Sequence, residues 1–333
     1  MDAHRAPRWL GGSGAWGGNV QTIWSAVVSH RWQPRPAYRR ERWTTPDGDF
    51  VDVDFLDAPG DDAAPQAAAP PLLALFHGLE GSSASHYSVA FAHRAHALGW
   101  RCAVPHFRGC SGELNLAPRA YHSGDHEEVG WVLQRLRAQH AGPLVAVGVS
   151  LGGNALLRWA EEAGDTAART VRAVCAVSAP LDLAAGGMAL GRGFNRAVYT
   201  RLFLRTMKPK ALAKLAQHPG LFDRRRLVAA RDLYDFDDVF TAPLHGFRDA
   251  ADYYARASAK PQLARIRVPA LVVNARNDPF VPAASLPTPR EAGANVTLWQ
   301  PAHGGHVGFA HGGFPGRLAT LPEQVTNWLR DRL

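Results

Sequence analysis

At 333 residues, with 46% hydrophobic and 20% charged, the chain can bury one large core or two modest ones and is not a disordered polypeptide. Its formal charge of +8 raises the question of an anionic partner, yet the basic residues read as dispersed: the densest run, Arg224-Arg225-Arg226, sits beside Asp223. Without zinc-finger spacing or an RNA-binding aromatic signature, a solvated basic surface is expected, attraction to anionic lipid headgroups is the alternative, and no nucleic-acid partner is expected.

Residues 1–36, rich in Gly, Trp and Pro, read as an irregular segment packed over the body, with Trp9, Trp16, Trp24 and Trp32 as packing anchors or as acyl-chain or membrane contacts. Residues 40–57 alternate around Pro46-Asp47-Gly48, a turn between two short strands, and residues 58–71 read as a surface loop. A rhythm begins there. Strands are expected at 72–76, 100–105, 143–149 and 171–178, with helices at 85–98, 122–140 and 151–163 between them. Residues 181–260 break the rhythm with helical patches and many charges. It resumes with strands at 268–274 and 295–300 and a helix from about Leu321. The expected architecture is α/β: a mostly parallel sheet with helices on both faces, built from 1–180 and 261–333, and a helical cap inserted at 181–260.

Three cysteines, Cys102, Cys110 and Cys175, form no CxxC pair and suit a reducing compartment. Arg5 and Arg8 are not followed by the apolar stretch of a signal peptide, and no run approaches about 20 apolar residues. The protein therefore reads as cytoplasmic, without an integral membrane segment.

Gly148-Val149-Ser150-Leu151-Gly152 matches G-x-S-x-G between an expected strand and an expected helix. That context asks for a tight turn that lifts the Ser150 oxygen above the sheet and aims the first helical N–H groups at a reacting carbonyl. Two donors are needed for the oxyanion, and Leu79, in the loop after the strand 72–76, and Leu151 are assigned. His77 is expected only to fix that loop. A serine needs a base, and His306 in Ala302-His303-Gly304-Gly305-His306 is preferred to His303. A zinc site on the two histidines lacks a third ligand in reach. The orienting acid is expected at Asp278, which follows the strand 268–274, with Asp182 as rival. Serine, acid and base then occur in α/β-hydrolase order. Two-step acyl transfer from a small acyl ester is the expected reaction, needing no metal or organic cofactor. Transfer to an alcohol, or a ligand-binding protein that kept the fold, are the alternatives.

Taken together, residues 76–82, 107–113, 121–124, 148–154, 241–247, 277–280 and 303–309 resemble the YheT-like branch of the α/β hydrolases, related to the ABHD-type lipid esterases. Asn19-Val20-Gln21-Thr22-Ile23 resembles that branch's opening motif, with Asn19 in place of a histidine. The resemblance implies the α/β-hydrolase fold, ester hydrolysis, and Ser150, Asp278 and His306 as nucleophile, acid and base. It assigns no role to Arg108, Glu113 and His122, read either as a polar network under the oxyanion loop or as partners for buried loop backbone. Cys110 reads as a small buried filler.

Overall fold

The alternation of strand and helix appears in a computed structural model that describes residues 4–12, 15–28, 31, 33–60 and 69–333. Trp32 and most of the loop expected at 58–71 lie outside the described residues. Before the sheet, the expectation of an irregular segment is corrected: Ala15–Val27 form a helix, α1. Gly17 and Gly18 lower its intrinsic propensity. Tertiary contact requires them nonetheless, because a Cβ on Gly17 would collide with the Gly12 carbonyl and one on Gly18 with the carbonyl of Asn277.

Eight strands form one sheet in the order β1-β2-β4-β3-β5-β6-β7-β8. β1 (Arg39–Thr44) and β2 (Phe50–Leu56) make the hairpin around Asp47-Gly48, and β2 lies antiparallel to β4 (Arg101–Pro105). The remaining pairings are parallel and join β3 (Leu72–Phe76), β5 (Leu144–Val149), β6 (Ala173–Val177), β7 (Ala270–Val273) and β8 (Val296–Trp299). Residues of β3, β5, β6 and β7 are buried on both faces, which is why they read as unbroken apolar runs.

The period of two distributes them between layers. Leu73 and Leu75 meet Phe91 of α2 (His86–Ala97) on one face. Leu72, Ala74 and Phe76 meet Leu133 of α3 (His126–Gln139) and Leu156 of α4 (Leu151–Ala163) on the other. Between β6 and β7 the chain forms only helices, chief among them α5 (Leu183–Leu190), α6 (Arg201–Gln217), α7 (Arg224–Ala229) and α8 (Ala250–Ala257). Leu204, Leu227, Phe236 and Phe240 give them a small core of their own. After β8, α9 (Thr320–Arg330) packs Val325 and Leu329 beside Phe91. No helix among the described residues is long and apolar enough to cross a membrane.

Candidate active site

The loops that leave the carboxyl ends of β3, β5, β7 and β8 converge, as expected where an open parallel sheet binds its ligand. At the end of β5, Ser150 has φ 53° and ψ −121°, a region an L-residue enters only when its surroundings insist. A Cβ on Gly148 would run into the Gly152 carbonyl, and one on Gly152 into the carbonyl oxygen of His77. Strand, elbow and helix can approach this closely only with glycine at both positions. Asn154, one turn into α4, anchors the helix: its amide donates to the Ser123 and Ala257 carbonyls and accepts the Ala259 N–H.

Ser150 Oγ lies 3.0 Å from His306 Nε2, and His306 Nδ1 lies 2.9 Å from Asp278 Oδ2. The other Asp278 oxygen accepts the N–H groups of Phe280 and Val281. The Phe280 ring stacks on the imidazole at a centroid distance of 4.1 Å, so the histidine is fixed by a face contact as well as by its edges. The rival candidates are engaged elsewhere. His303 Nδ1 accepts the Ala6 N–H, and Asp182 caps α5 through the Ala185 N–H.

The loop that carries His306 is strained: Gly305 and Val307, on either side of it, both have φ 57°, and for the β-branched Val307 that is an outlier. Its backbone groups are tied down on all sides. Ser178 Oγ accepts the Val307 N–H and His86 donates to the Val307 carbonyl. The fully buried Gln21 of α1 accepts the Gly304 N–H and the Asn277 amide, while its own amide donates to the Leu10 and Gly12 carbonyls. Thr22 Oγ1 accepts the N–H of His306 itself at 2.8 Å and donates to the Gly18 carbonyl. Asn277, beside Asp278, accepts the Gly305 N–H. Sequence reasoning singled out the stretch Asn19–Ile23 only by resemblance and gave it no task; its polar pair next to aliphatic residues was the available signal.

Leu79 and Leu151 flank Ser150 in the same cavity wall. The glycine before Leu79 approaches so closely that a Cβ on Gly78 would sit 3.0 Å from the Ser150 Cβ. His77 fixes this loop as expected: its Nε2 accepts the Phe107 N–H and its Nδ1–H donates to the Gly78 carbonyl. Burial pushes its pKa down to about 3, so it is neutral. Next to Leu79, Glu80 is held at φ 56° by Tyr121, which accepts its N–H and donates to its carboxylate, and Lys210 of α6 pairs with that carboxylate.

The cavity runs from Ser150 beneath α5 and α6 and is walled by Leu183, Leu190, Phe203, Met207, Phe236 and Phe240. Asp237 is a polar exception in that wall. Burial raises its carboxyl pKa to about 6, while the Thr241 and Tyr254 hydroxyls donate to it. Arg108, Glu113 and His122 do not form one network. Arg108 closes a buried cluster with Asp47, Asp49 and Glu128, Glu113 pairs with Arg42 at the surface, and His122 packs against His245, Phe247 and Tyr253. Burial pushes the Cys110 thiol up to about 12, which fits a filler. Trp9 and Trp24 pack together against Phe314, whereas Trp16 is 73% exposed.

Residues 71–312 match the family model for the alpha/beta hydrolase fold. Over 294 residues the chain is 41% identical to "Putative esterase YheT" of Escherichia coli K12, covering 87% of this chain and 84% of that one. It is 30% identical to mouse "Phospholipase ABHD3", covering 93% and 75% of the two chains. Among solved structures, Est1E of Butyrivibrio proteoclasticus with ferulic acid bound superposes with a TM-score of 0.55 at 14% identity, covering 88% of this chain and 98% of that one, a likeness of fold. Eight strands in this order, the glycine-flanked Ser150 and these matches place the chain in the α/β hydrolase family, within its YheT-like branch.

Proposed function

We propose that the protein is a serine carboxylic-ester hydrolase acting through an acyl-enzyme on short- to medium-chain acyl esters. The observation that carries this reading is the line of hydrogen bonds from Ser150 through His306 to Asp278, opening on an apolar cavity. Ser150 Oγ attacks the ester carbonyl carbon as its proton passes to His306 Nε2, and the carbonyl electron pair moves onto oxygen. That oxyanion is received by the Leu79 and Leu151 N–H groups. When the tetrahedral species collapses, the C–O bond to the alcohol breaks and the leaving oxygen takes the proton from His306. Water then repeats the sequence on the acyl-Ser150 ester and frees the acid. Asp278 keeps the Nδ1–H of His306 oriented and balances the imidazolium formed in each half-reaction.

In this reading residues 181–260 serve as the cap, with the inner faces of α5 and α6 receiving the acyl chain. The names of the relatives, an esterase and a phospholipase, support ester chemistry. Ser150→Ala is expected to lower turnover of p-nitrophenyl butyrate by about 10⁴-fold or more, with the urea midpoint unchanged and labelling by a fluorophosphonate probe lost. Undiminished turnover in that variant would remove Ser150 from the reaction. Asp278→Asn should cost about 10⁴-fold in kcat. Asp182→Asn should cost little, since that side chain caps a helix; the reverse order would reassign the acid.

A further inference from the structure

The basic residues, which read as dispersed when taken run by run, are concentrated when taken by segment. From Arg192 to Arg231 there are eleven Lys and Arg against one acid, Asp223. That stretch carries a balance of +10, whereas the whole chain carries +8, so everything else sums to −2. Some of these cations are engaged: Lys210 with Glu80, Arg226 with Asp238, Lys214 and Lys208 with backbone carbonyls. Seven arginines remain, at 192, 196, 201, 205, 224, 225 and 231. All are exposed, and none has an ion-pair partner among the described residues.

The helix α6 shows why this matters for the site. Phe203, Met207, Lys210 and Lys214, at helical spacing, line the cavity that holds Ser150. Arg201, Arg205 and Lys208, at the same spacing on the other side, line an outer groove with Arg196 and Arg231. Apolar side chains stand among these arginines: Leu202 is 57% exposed and Val228 51%. In the same stretch Phe194 meets Trp16 of α1 edge to face, 5.7 Å between centroids, and both rings reach solvent. A surface built only for solubility has no use for leucine and tryptophan between its arginines, and a phosphate-backbone surface would replace them with polar groups. Arginine with interspersed aromatic and aliphatic residues is the composition of a surface that rests among lipid headgroups.

We infer that the outer face of α6 and its neighbours, from Arg192 to Arg231 with Trp16, is a docking surface for an anionic lipid bilayer. Docking there places the roof of the catalytic cavity against the membrane. The inference does not depend on the reaction proposed above, and its test keeps the two apart.

The full-length protein is sedimented with phosphatidylcholine vesicles made with and without phosphatidylglycerol. Binding is expected only to the anionic vesicles, and should fall steeply as salt shortens the Debye length from about 10 Å to a few ångströms. The triple variant Arg201→Gln/Arg205→Gln/Arg231→Gln is expected to bind about 100-fold more weakly, at the usual contribution of a basic residue near a charged membrane. It should still hydrolyse soluble p-nitrophenyl butyrate at the wild-type rate without vesicles, which also shows that it is folded. Ser150→Ala should bind vesicles like the wild type, so loss of activity and loss of docking are read separately. Equal sedimentation with neutral and anionic vesicles, unaltered binding by the triple variant, or retention on duplex DNA or RNA with none on vesicles would each overturn the proposal.

Discussion

His4 shows how far a single side chain near the amino end can influence the whole. Its ring is buried against Phe309, and both ring nitrogens lack a hydrogen-bond partner among the described residues. Burial first, then the neighbouring His311 and His303, lower its pKa from 6.5 to about 4. In the unfolded chain this imidazole takes up a proton as pH falls through 6.5, and in the folded chain only near 4. Stability is therefore unaffected by His4 above pH 6.5 and declines between these limits, by on the order of 3 kcal/mol in full. His4→Phe keeps a ring in place and cannot titrate. Its urea midpoint should fall less than that of the wild type between pH 7.5 and 4.5, and parallel curves would show that His4 is not the group responsible. The trio at the centre of the site was legible at this scale because each member follows a strand: Ser150 after β5, Asp278 after β7, His306 after β8. Gln21 was not, since a glutamine in a Gly-rich stretch carries no strand or motif to announce what it will accept.

At the scale of elements, α1 is where sequence and structure part. Helix propensity argues against a segment holding Gly17 and Gly18, and packing overrides it, because only glycine lets the helix backbone reach the Asn277 peptide. α1 then carries the acceptors for both loops that bring Asp278 and His306 to Ser150. Thr22→Ser keeps the hydroxyl that receives the His306 N–H and should retain near-normal turnover. Thr22→Val removes it and leaves that N–H unpaired; we expect kcat to fall about 10- to 100-fold with KM little changed, the signature of a displaced rather than an absent group. Equal activity in the two variants would limit Thr22 to packing. Gly18→Ala should be worse for stability, costing about 1–3 kcal/mol as the Cβ presses on the Asn277 carbonyl, and a urea titration reads this directly. Strand positions were legible to within a residue or two, since β3, β5, β6 and β7 are apolar throughout. The start of α3 was not, because residues 122–125 continue the helical pattern but form the loop in which Ser123 meets Asn154.

The whole molecule divides by charge as well as by structure. Residues 192–231 carry +10 and the rest of the molecule −2, so one strongly basic helical stretch sits on a nearly neutral remainder, and α6 within that stretch lines the cavity. The α/β character followed from the rhythm of strand and helix, which is dictated by burial and survives in any sequence that builds such a sheet. The charge division escaped a reading that looked for consecutive basic residues, because a helix gathers side chains three and four apart onto one side.

The ties from Gln21 and Thr22 to the loop around His306 span more than 280 residues of chain. Closing so long a circuit is entropically expensive and belongs late in assembly, after strands that are neighbours in sequence have met. A refolding molecule would thus regain its sheet while the imidazole still lacks its seat. In a stopped-flow experiment, tryptophan fluorescence and far-ultraviolet ellipticity should recover first, and esterase turnover only afterwards. Simultaneous recovery would mean that the long circuit closes with the rest. Such a lag would leave the half-made enzyme inert towards esters until two segments at opposite reaches of the chain have found one another.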